Sequence, residues 1–403
     1  MRDLFRKRPM WRFSSEPKKH YDVVIIGGGS HGLATAHYLK AHGITDVAIL
    51  EKNYIGSGAA GRNTTILRSN YKTPEGARFY DASMKLYERL GVELDFNLLF
   101  SQHGHLTLAH SDRAMFVMAN RAEVNRLEGI DSQLIGPDRV TELAPTMYVG
   151  PDTTYPIMGA LYHPPGGIIR HDAVVWGLAR SAWEGGAELH PYTEVTGLRR
   201  DGDRMTAVET NKGVIEAGTV LNCTAGWSSL ICAMAGFDLP ITTHILQACV
   251  TEPVKRFLDV VIVSSQMHVY LSQSDRGEFV MGSEIEPWTT YRTQNTLNFL
   301  QDLSRHTLEL FPQLERARLL RAWAGLCDLS PDYSPILGET EVENFHVSAG
   351  WGTYGFKAAP IVGKTLAELV ATGKTPELIA PFALERFYTD ELVSELAAAA
   401  VSH

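Results

Sequence analysis

A chain of 403 residues that is 44% hydrophobic and 21% charged is ordinary for a folded globular protein and long enough for two domains with substantial cores. Its 37 basic and 46 acidic side chains leave a net charge of −9, and no stripe of basic and aromatic residues overrides that balance, so nucleic acid is not an expected partner. Four cysteines without a Cys-x-x-Cys pair suit buried thiols in a reducing compartment, with no metal site; no apolar run reaches the roughly 20 residues of a membrane helix, so a soluble cytoplasmic protein is expected.

The first 20 residues form a basic N-terminal arm, in which Arg2, Arg6, Lys7, Arg8, Arg12, Lys18 and Lys19 outweigh Asp3 and Glu16. No apolar segment follows the positive charge, so it does not read as a secretory signal. A solvated arm and an arm that docks on an acidic partner subunit both fit this composition.

At residue 21 the pattern changes to an apolar run, 23–26, followed by Gly27-Gly28-Gly29-Ser30-His31-Gly32. This order reads as a strand, a phosphate-binding turn and a helix start. Gly27 makes the tight turn, Gly29 lets a pyrophosphate approach the backbone, and Gly32 lets the helix pack on the strand. First-turn amides near Ser30 and His31 then point at the phosphates. A second apolar run, 47–50, ends in Glu51, where a carboxylate can accept hydrogen bonds from a ribose diol. The unit binds a dinucleotide; the motif leaves NAD and FAD open.

Thr73-Pro74-Glu75 opens a helix that runs to Gly91, and a helical insertion follows. Residues 170–183 have helical spacing and stop at Gly185-Gly186. The runs 187–190, 194–198, 205–209 and 214–216 read as an antiparallel meander, after which 219–223 returns to the nucleotide unit as a strand. A second strand-rich region spans 241–283, and a long helix is expected over 289–311. Near the end, a strand at 345–350 meets the segment from Trp351 to Lys357, and 358–371 is helical. Glycines 350, 352 and 355 permit a second close approach to a ligand at a helix N-terminus. There is no internal repeat.

Four stretches carry a resemblance: residues 61–71 (Gly-Arg-Asn-Thr-Thr-Ile-Leu-Arg-Ser-Asn-Tyr), Arg170-His171-Asp172, His268-Val269-Tyr270, and 350–357. Together with the first glycine turn, they make the chain, from Tyr21 to about Phe387, similar to the D-amino-acid oxidase and sarcosine oxidase flavoprotein superfamily. The likeness is strongest to the β subunits of its heterotetrameric sarcosine oxidases. The resemblance implies an α/β fold in which a Rossmann-like FAD-binding domain (21–95, 160–227 and 321–385) is interleaved with an antiparallel-sheet substrate domain (96–159 and 228–320), leaving 386–403 as a tail.

It also implies roles. Gly27, Gly29, Ser30, His31, Gly32 and Glu51 would hold the ADP half of non-covalent FAD, and Val195 the adenine. Arg62, Asn63, Thr64 and Ile66 would follow the ribityl chain and ring, which Gly352, Gly355, Phe356 and Lys357 would face. Arg68 and Lys357 would clamp a substrate carboxylate, with Tyr270 lining the same pocket. Read alone, His171 is a surface residue at a helix start; the resemblance makes it the attachment point of covalent FMN, with Arg170 neutralising phosphate or flavin charge. Single-chain relatives activate oxygen with a lysine on the strand over the flavin, and 278–281 (Glu-Phe-Val-Met) offers none. The expected reaction is therefore oxidative demethylation of sarcosine at FAD, with electrons passing to FMN and then O2. The products are H2O2, glycine, and formaldehyde or methylenetetrahydrofolate. The expected partners are α (with NAD and folate sites), γ and δ subunits. A dehydrogenase of N-methylglutamate, proline or an opine is the alternative, and a non-catalytic assembly subunit a third reading.

Overall fold

In the computed structural model the described residues are 10–13, 16–150 and 152–395. Most of the basic arm, including Arg2, Arg6, Lys7 and Arg8, lies outside them. At its described end Lys18 pairs with Asp46 at 2.9 Å and Glu188 at 2.7 Å.

The run at 23–26 becomes the centre of the first sheet because its side chains are apolar on both faces, the signature of a strand covered twice. His20–Ile26 pairs in parallel with Val47–Glu51 on one side and Gly213–Asn222 on the other. Phe345–Ala349 extends the parallel set, and Ile336–Glu339 closes that edge antiparallel. Val23 and Ile25 enter a core shared with the helices Ser30–Leu39, Pro74–Glu93, His171–Glu184 and Gly355–Thr372. Val24 and Ile26 enter the opposite core, roofed by Val195–Asp201, Arg204–Thr210 and Ser228–Met234.

Two expectations change here. Glu188–Pro191 leaves the expected meander and pairs in parallel with Val47–Glu51, because the helix before it is a crossover that returns the chain in the same direction. The runs 214–216 and 219–223 fuse into one strand, Gly213–Asn222. Gly218 at their junction packs so closely on the Asp22 backbone that an added Cβ would lie 2.7 Å from its carbonyl oxygen. A polar-looking break is therefore a close backbone approach.

The second sheet, of eight strands, is antiparallel apart from the pair Val261–Ser264 and His105–Ala109. One face packs on the helix Leu297–Leu310 through Leu106, Leu108, Ile262, Val269 and Leu271. The alternate residues, Thr107, Val263 and Tyr270, face a cavity. The period of two along each strand thus separates core from site.

The domain limits shift accordingly. Leu319–Leu329 pairs along its whole length with Thr242–Thr251, and Gly159–His163 pairs with His105–Ala109, so both belong to the second sheet. The long helix starts at Leu297, where Thr296 accepts from the Phe299 amide. Residues 386–395 are not a loose tail. Arg386 forms a buried pair with Asp332 at 2.8 Å, and the buried Glu395 accepts from the amides of Lys72 and Thr73 beside the start of Pro74–Glu93. Among the described residues no helix is long and apolar enough to cross a membrane.

Candidate active site

The turn after His20–Ile26 is built for glycine. Gly27 has φ +111°, and a Cβ there would lie 2.4 Å from the Cys223 carbonyl oxygen. A Cβ on Gly32 would lie 2.2 Å from the Gly27 oxygen, so the helix Ser30–Leu39 sits directly on the turn. Gly29 is the helix N-cap, and a Cβ there would meet only Ala60, at an ordinary 3.9 Å. No side chain caps this helix and no acid occupies its first turn. Its first amides are left for an anion.

Glu51 is buried, and its two oxygens accept from the Gly28 amide at 3.1 Å, the Asn53 amide at 2.9 Å and the Ser57 hydroxyl at 3.2 Å. A carboxylate has about four acceptor positions, so one remains for a diol. The cavity these groups border has a volume of about 490 Å3, within the range for small-molecule sites. Thr193, Glu194 and Val195 line it beside Glu51, to whose carbonyl the Thr193 amide donates.

Arg62, Asn63, Thr64 and Ile66 continue the lining. Arg62 is held by carbonyls, with Nε donating to Ser57 and Nη1 to Ala324, while the Trp323 indole donates back to its own carbonyl at 2.7 Å. Asn63 spends its side chain inside the loop, donating to the Ala60 carbonyl and accepting from the Thr65 amide. Thr65 has φ +68°, so Asn63 shapes the bend that presents Thr64 and Ile66.

His31 has a role the sequence did not show. Burial lowers its pKa to about 4, so the imidazole is neutral. Its Nε2 donates to the Gly355 carbonyl at 2.7 Å, which makes Nδ1 the acceptor for the Ser348 hydroxyl at 2.9 Å; that hydroxyl in turn accepts from the Trp351 indole. The chain of bonds ties the first glycine turn to the second. Asp328 anchors the second turn from the other sheet, its carboxylate accepting from the Gly350 amide at 2.6 Å and its carbonyl from the Gly352 amide at 2.7 Å. Burial raises its pKa to about 6.

At the other end of the cavity the charges converge. Arg68 is 7% exposed, donates to the Asn70 carbonyl and side chain at 3.1 Å, and lies 4.4 Å over the Tyr71 ring. Lys357 donates to the Thr353 carbonyl at 3.0 Å; burial, with Arg68 nearby, lowers its pKa to about 7. Behind them Arg121 donates to the same Asn70, and burial with the Arg68 charge lowers its pKa to about 9. His105 and His163 are held neutral by burial and by these cations. Glu395 is the carboxylate whose charge favours Arg121, leaving this end of the cavity positive. Tyr270 lines it with a buried hydroxyl, burial raising its pKa.

Among the residues expected to form the site, the structure brings all but Gly32, Arg170 and His171 into the lining of this one cavity. Gly32 supports the turn from behind. His171 starts the helix His171–Glu184 away from the lining, half-buried, with Nδ1 buried and without a partner among the described residues; burial keeps it neutral. Arg170 pairs bidentately with Asp172 at 2.9 Å, and the charge of Arg321 also bears on His171.

The strand over the cavity differs from the sequence reading. Phe279 and Met281 point into the core, and an irregularity in the pairing between Gly282 and Ile285 turns Ser283 and Ile285 to the cavity instead. The cavity-facing positions are therefore displaced from 278–281, and neither is lysine. Arg121, His105, Thr107, Asp328 and Glu395 were missed. The alternation of His105 and Thr107 with Leu106 and Leu108 was a usable signal; lone Arg121 on a helix gave none.

The geometry agrees with comparisons to known proteins. The family model described as FAD dependent oxidoreductase (DAO) matches residues 22–369. The chain is 45% identical over 405 residues to the sarcosine oxidase subunit beta of Arthrobacter sp, covering 100% of both chains. It is 44% identical to the protein of the same name in Rhodobacter capsulatus, covering 97% of this chain and 94% of that one. A crystal structure of L-proline dehydrogenase from P. horikoshii superposes with a TM-score of 0.87 at 31% identity, covering 94% of this chain and 100% of that one. The empty first-turn amides, the spare acceptor position on Glu51 and two glycine turns facing one cavity are what an extended dinucleotide needs, and the chain belongs to the DAO family of FAD-dependent oxidoreductases and, within it, to the sarcosine oxidase subunit beta group of flavin amine oxidoreductases.

Proposed function

We propose that this chain oxidatively demethylates sarcosine, as the β subunit of a heterotetrameric sarcosine oxidase. The observation that carries the reading is the pair of buried cations, Arg68 and Lys357, at the end of the cavity where the second glycine turn opens. Two donors of unlike shape, a planar fork and a point charge, fix both the position and the plane of one carboxylate. The positive field at this end disfavours a substrate ammonium, so the amine reacts as the free base. Tyr270 and Thr107 close the pocket from the second sheet and limit water beside the N-methyl group. FAD, when bound, supplies the two-electron acceptor for the hydride that leaves the methyl carbon. Water or tetrahydrofolate then takes the one-carbon unit from the resulting iminium, leaving glycine.

His171 is the residue we assign to covalent attachment of FMN, through which electrons reach O2 to give H2O2. A neutral imidazole with an unpartnered buried nitrogen, flanked by Arg170 and Arg321, suits a ring nucleophile beside a phosphate-bearing group. The lack of lysine among the cavity-facing positions 283 and 285 supports a route to oxygen other than directly from FAD. In this reading α, γ and δ subunits complete the assembly, α carries NAD and folate sites, and the basic arm docks on an acidic subunit.

A second reading, a dehydrogenase of proline or another secondary amino acid such as N-methylglutamate or an opine, is favoured by the similarity to the L-proline dehydrogenase structure. Anaerobic mixing of the flavin-loaded protein with sarcosine, N-methylglutamate and L-proline separates them: sarcosine should bleach the flavin fastest. Bleaching by none would leave the non-catalytic reading. Flavin that stays with acid-precipitated protein, and is lost in His171→Ala, is the expected mark of covalent FMN; its absence from the parent protein refutes it.

A further inference from the structure

The second sheet places two histidines opposite each other in register, His105 on His105–Ala109 and His163 on Gly159–His163. The protein uses one completely. His163 Nδ1 donates to the Asp131 carbonyl at 2.7 Å, and Nε2 accepts from the Ser69 amide at 3.2 Å. Its neighbour is used by no described residue. His105 is 2% exposed, lines the cavity with Thr107, and has Nδ1 buried without a partner. Its Cβ is packed on Gly166, where an added Cβ would lie 2.6 Å away.

The surroundings decide the protonation of this ring. Burial, together with the charges of Arg68, Arg121 and Lys357, keeps it neutral, so it carries a single N–H. A buried N–H without an acceptor is rarer and costlier than an unused lone pair. The orphaned Nδ1 is therefore the lone pair, and the proton sits on Nε2, the nitrogen left for the cavity. A donor there, beside two cations that repel another positive group, calls for an anionic acceptor in the ligand.

We propose that His105 is a substrate-binding residue, whose Nε2–H is the third donor, beside Arg68 and Lys357, to the carboxylate of the bound amino acid. The inference rests on the substrate class proposed above and adds a residue to it. A neutral third donor fits the electrostatics: it satisfies a carboxylate lone pair that two cations leave open without adding another buried charge.

Acetate is the probe, because it carries the carboxylate and lacks the amine. It is titrated into the FAD-loaded protein while the flavin absorbance is followed. His105→Leu should weaken acetate binding about tenfold, with FAD affinity unchanged. His105→Gln, whose amide nitrogen can take the place of Nε2, should bind within about twofold of the parent, and His105→Asn, which mimics the other nitrogen, should behave like the leucine variant. Acetate binding by His105→Leu equal to the parent overturns the proposal, and so does a glutamine variant as weak as the leucine one. Failure of sarcosine to bleach the flavin, with acetate still discriminating among the variants, sinks the substrate reading and leaves the carboxylate site standing.

Discussion

Gly27, Gly29, Gly32 and Glu51 come from one continuous βαβ unit, whereas Arg68, His105, Tyr270 and Lys357 reach the other end of the same cavity from four segments: the chain after Ile66–Leu67, two strands of the second sheet and the helix Gly355–Thr372. The nucleotide end works by absence of side chains and by backbone amides. The substrate end works by buried charge, held in place by groups with no motif of their own: Asn70 shared by two arginines, and Glu395 opposite them. A contiguous motif can create a steric cradle on its own. A net positive pocket needs partners gathered from across the chain, because an uncompensated cluster of buried cations would not survive folding.

The largest effect tests the steric half. Gly27→Ala combines a positive φ with a contact of 2.4 Å to the Cys223 carbonyl, and backbone strain alone costs roughly 1–3 kcal/mol. The purified variant should carry almost no FAD; normal flavin content would show that this end does not depend on close approach. Arg68→Leu breaks the charged half instead. It should retain FAD and lose on the order of a hundredfold in kcat/KM for sarcosine, the scale of about 2–5 kcal/mol for a desolvated charged partner. Steady-state assays in a flavin-saturated variant decide this, and a loss under threefold would remove Arg68 from the carboxylate site.

Lys357 sharpens the comparison through pH. Its pKa is lowered to about 7, so the ammonium is charged below that value and neutral above it. Attraction for a carboxylate is therefore full below pH 7 and lost as pH rises through it. Acetate affinity should fall up to about tenfold per unit above 7. The Lys357→Met variant should bind more weakly at pH 6 and lack this slope; a slope that persists there assigns the titration elsewhere. Tyr270→Phe should give the smallest change, a few-fold rise in KM, since one neutral hydrogen bond contributes about 0.5–1.5 kcal/mol.

The same contrast explains what could be read before folding. The strand, turn and acid of the nucleotide end follow a local period and spacing, so His20–Ile26, the helix after Gly29 and the cap at Thr73 were all legible. Glu188–Pro191 was not, because whether a short apolar run pairs parallel or antiparallel depends on the crossover helix before it. The cavity-facing positions of Phe279–Ile285 were displaced by a pairing irregularity that leaves no trace in residue type. Arg68 and Lys357 were reached only through family resemblance. Arg121 and Glu395, which set the charge balance around them, are isolated polar residues whose partners lie far away in sequence.

Two tryptophans, Trp227 and Trp351, form part of the cavity wall, and Trp351 is 3% exposed, with its indole fixed by Ser348 and edge-on to His31 at 4.6 Å. Rings held rigidly in the wall of a flavin site are well placed to pass excitation to a bound isoalloxazine. Their ultraviolet emission should dim as the cofactor enters and return when it is stripped. The protein thus carries an optical gauge of loading that needs neither substrate nor turnover, and it can be read on variants that have lost all activity.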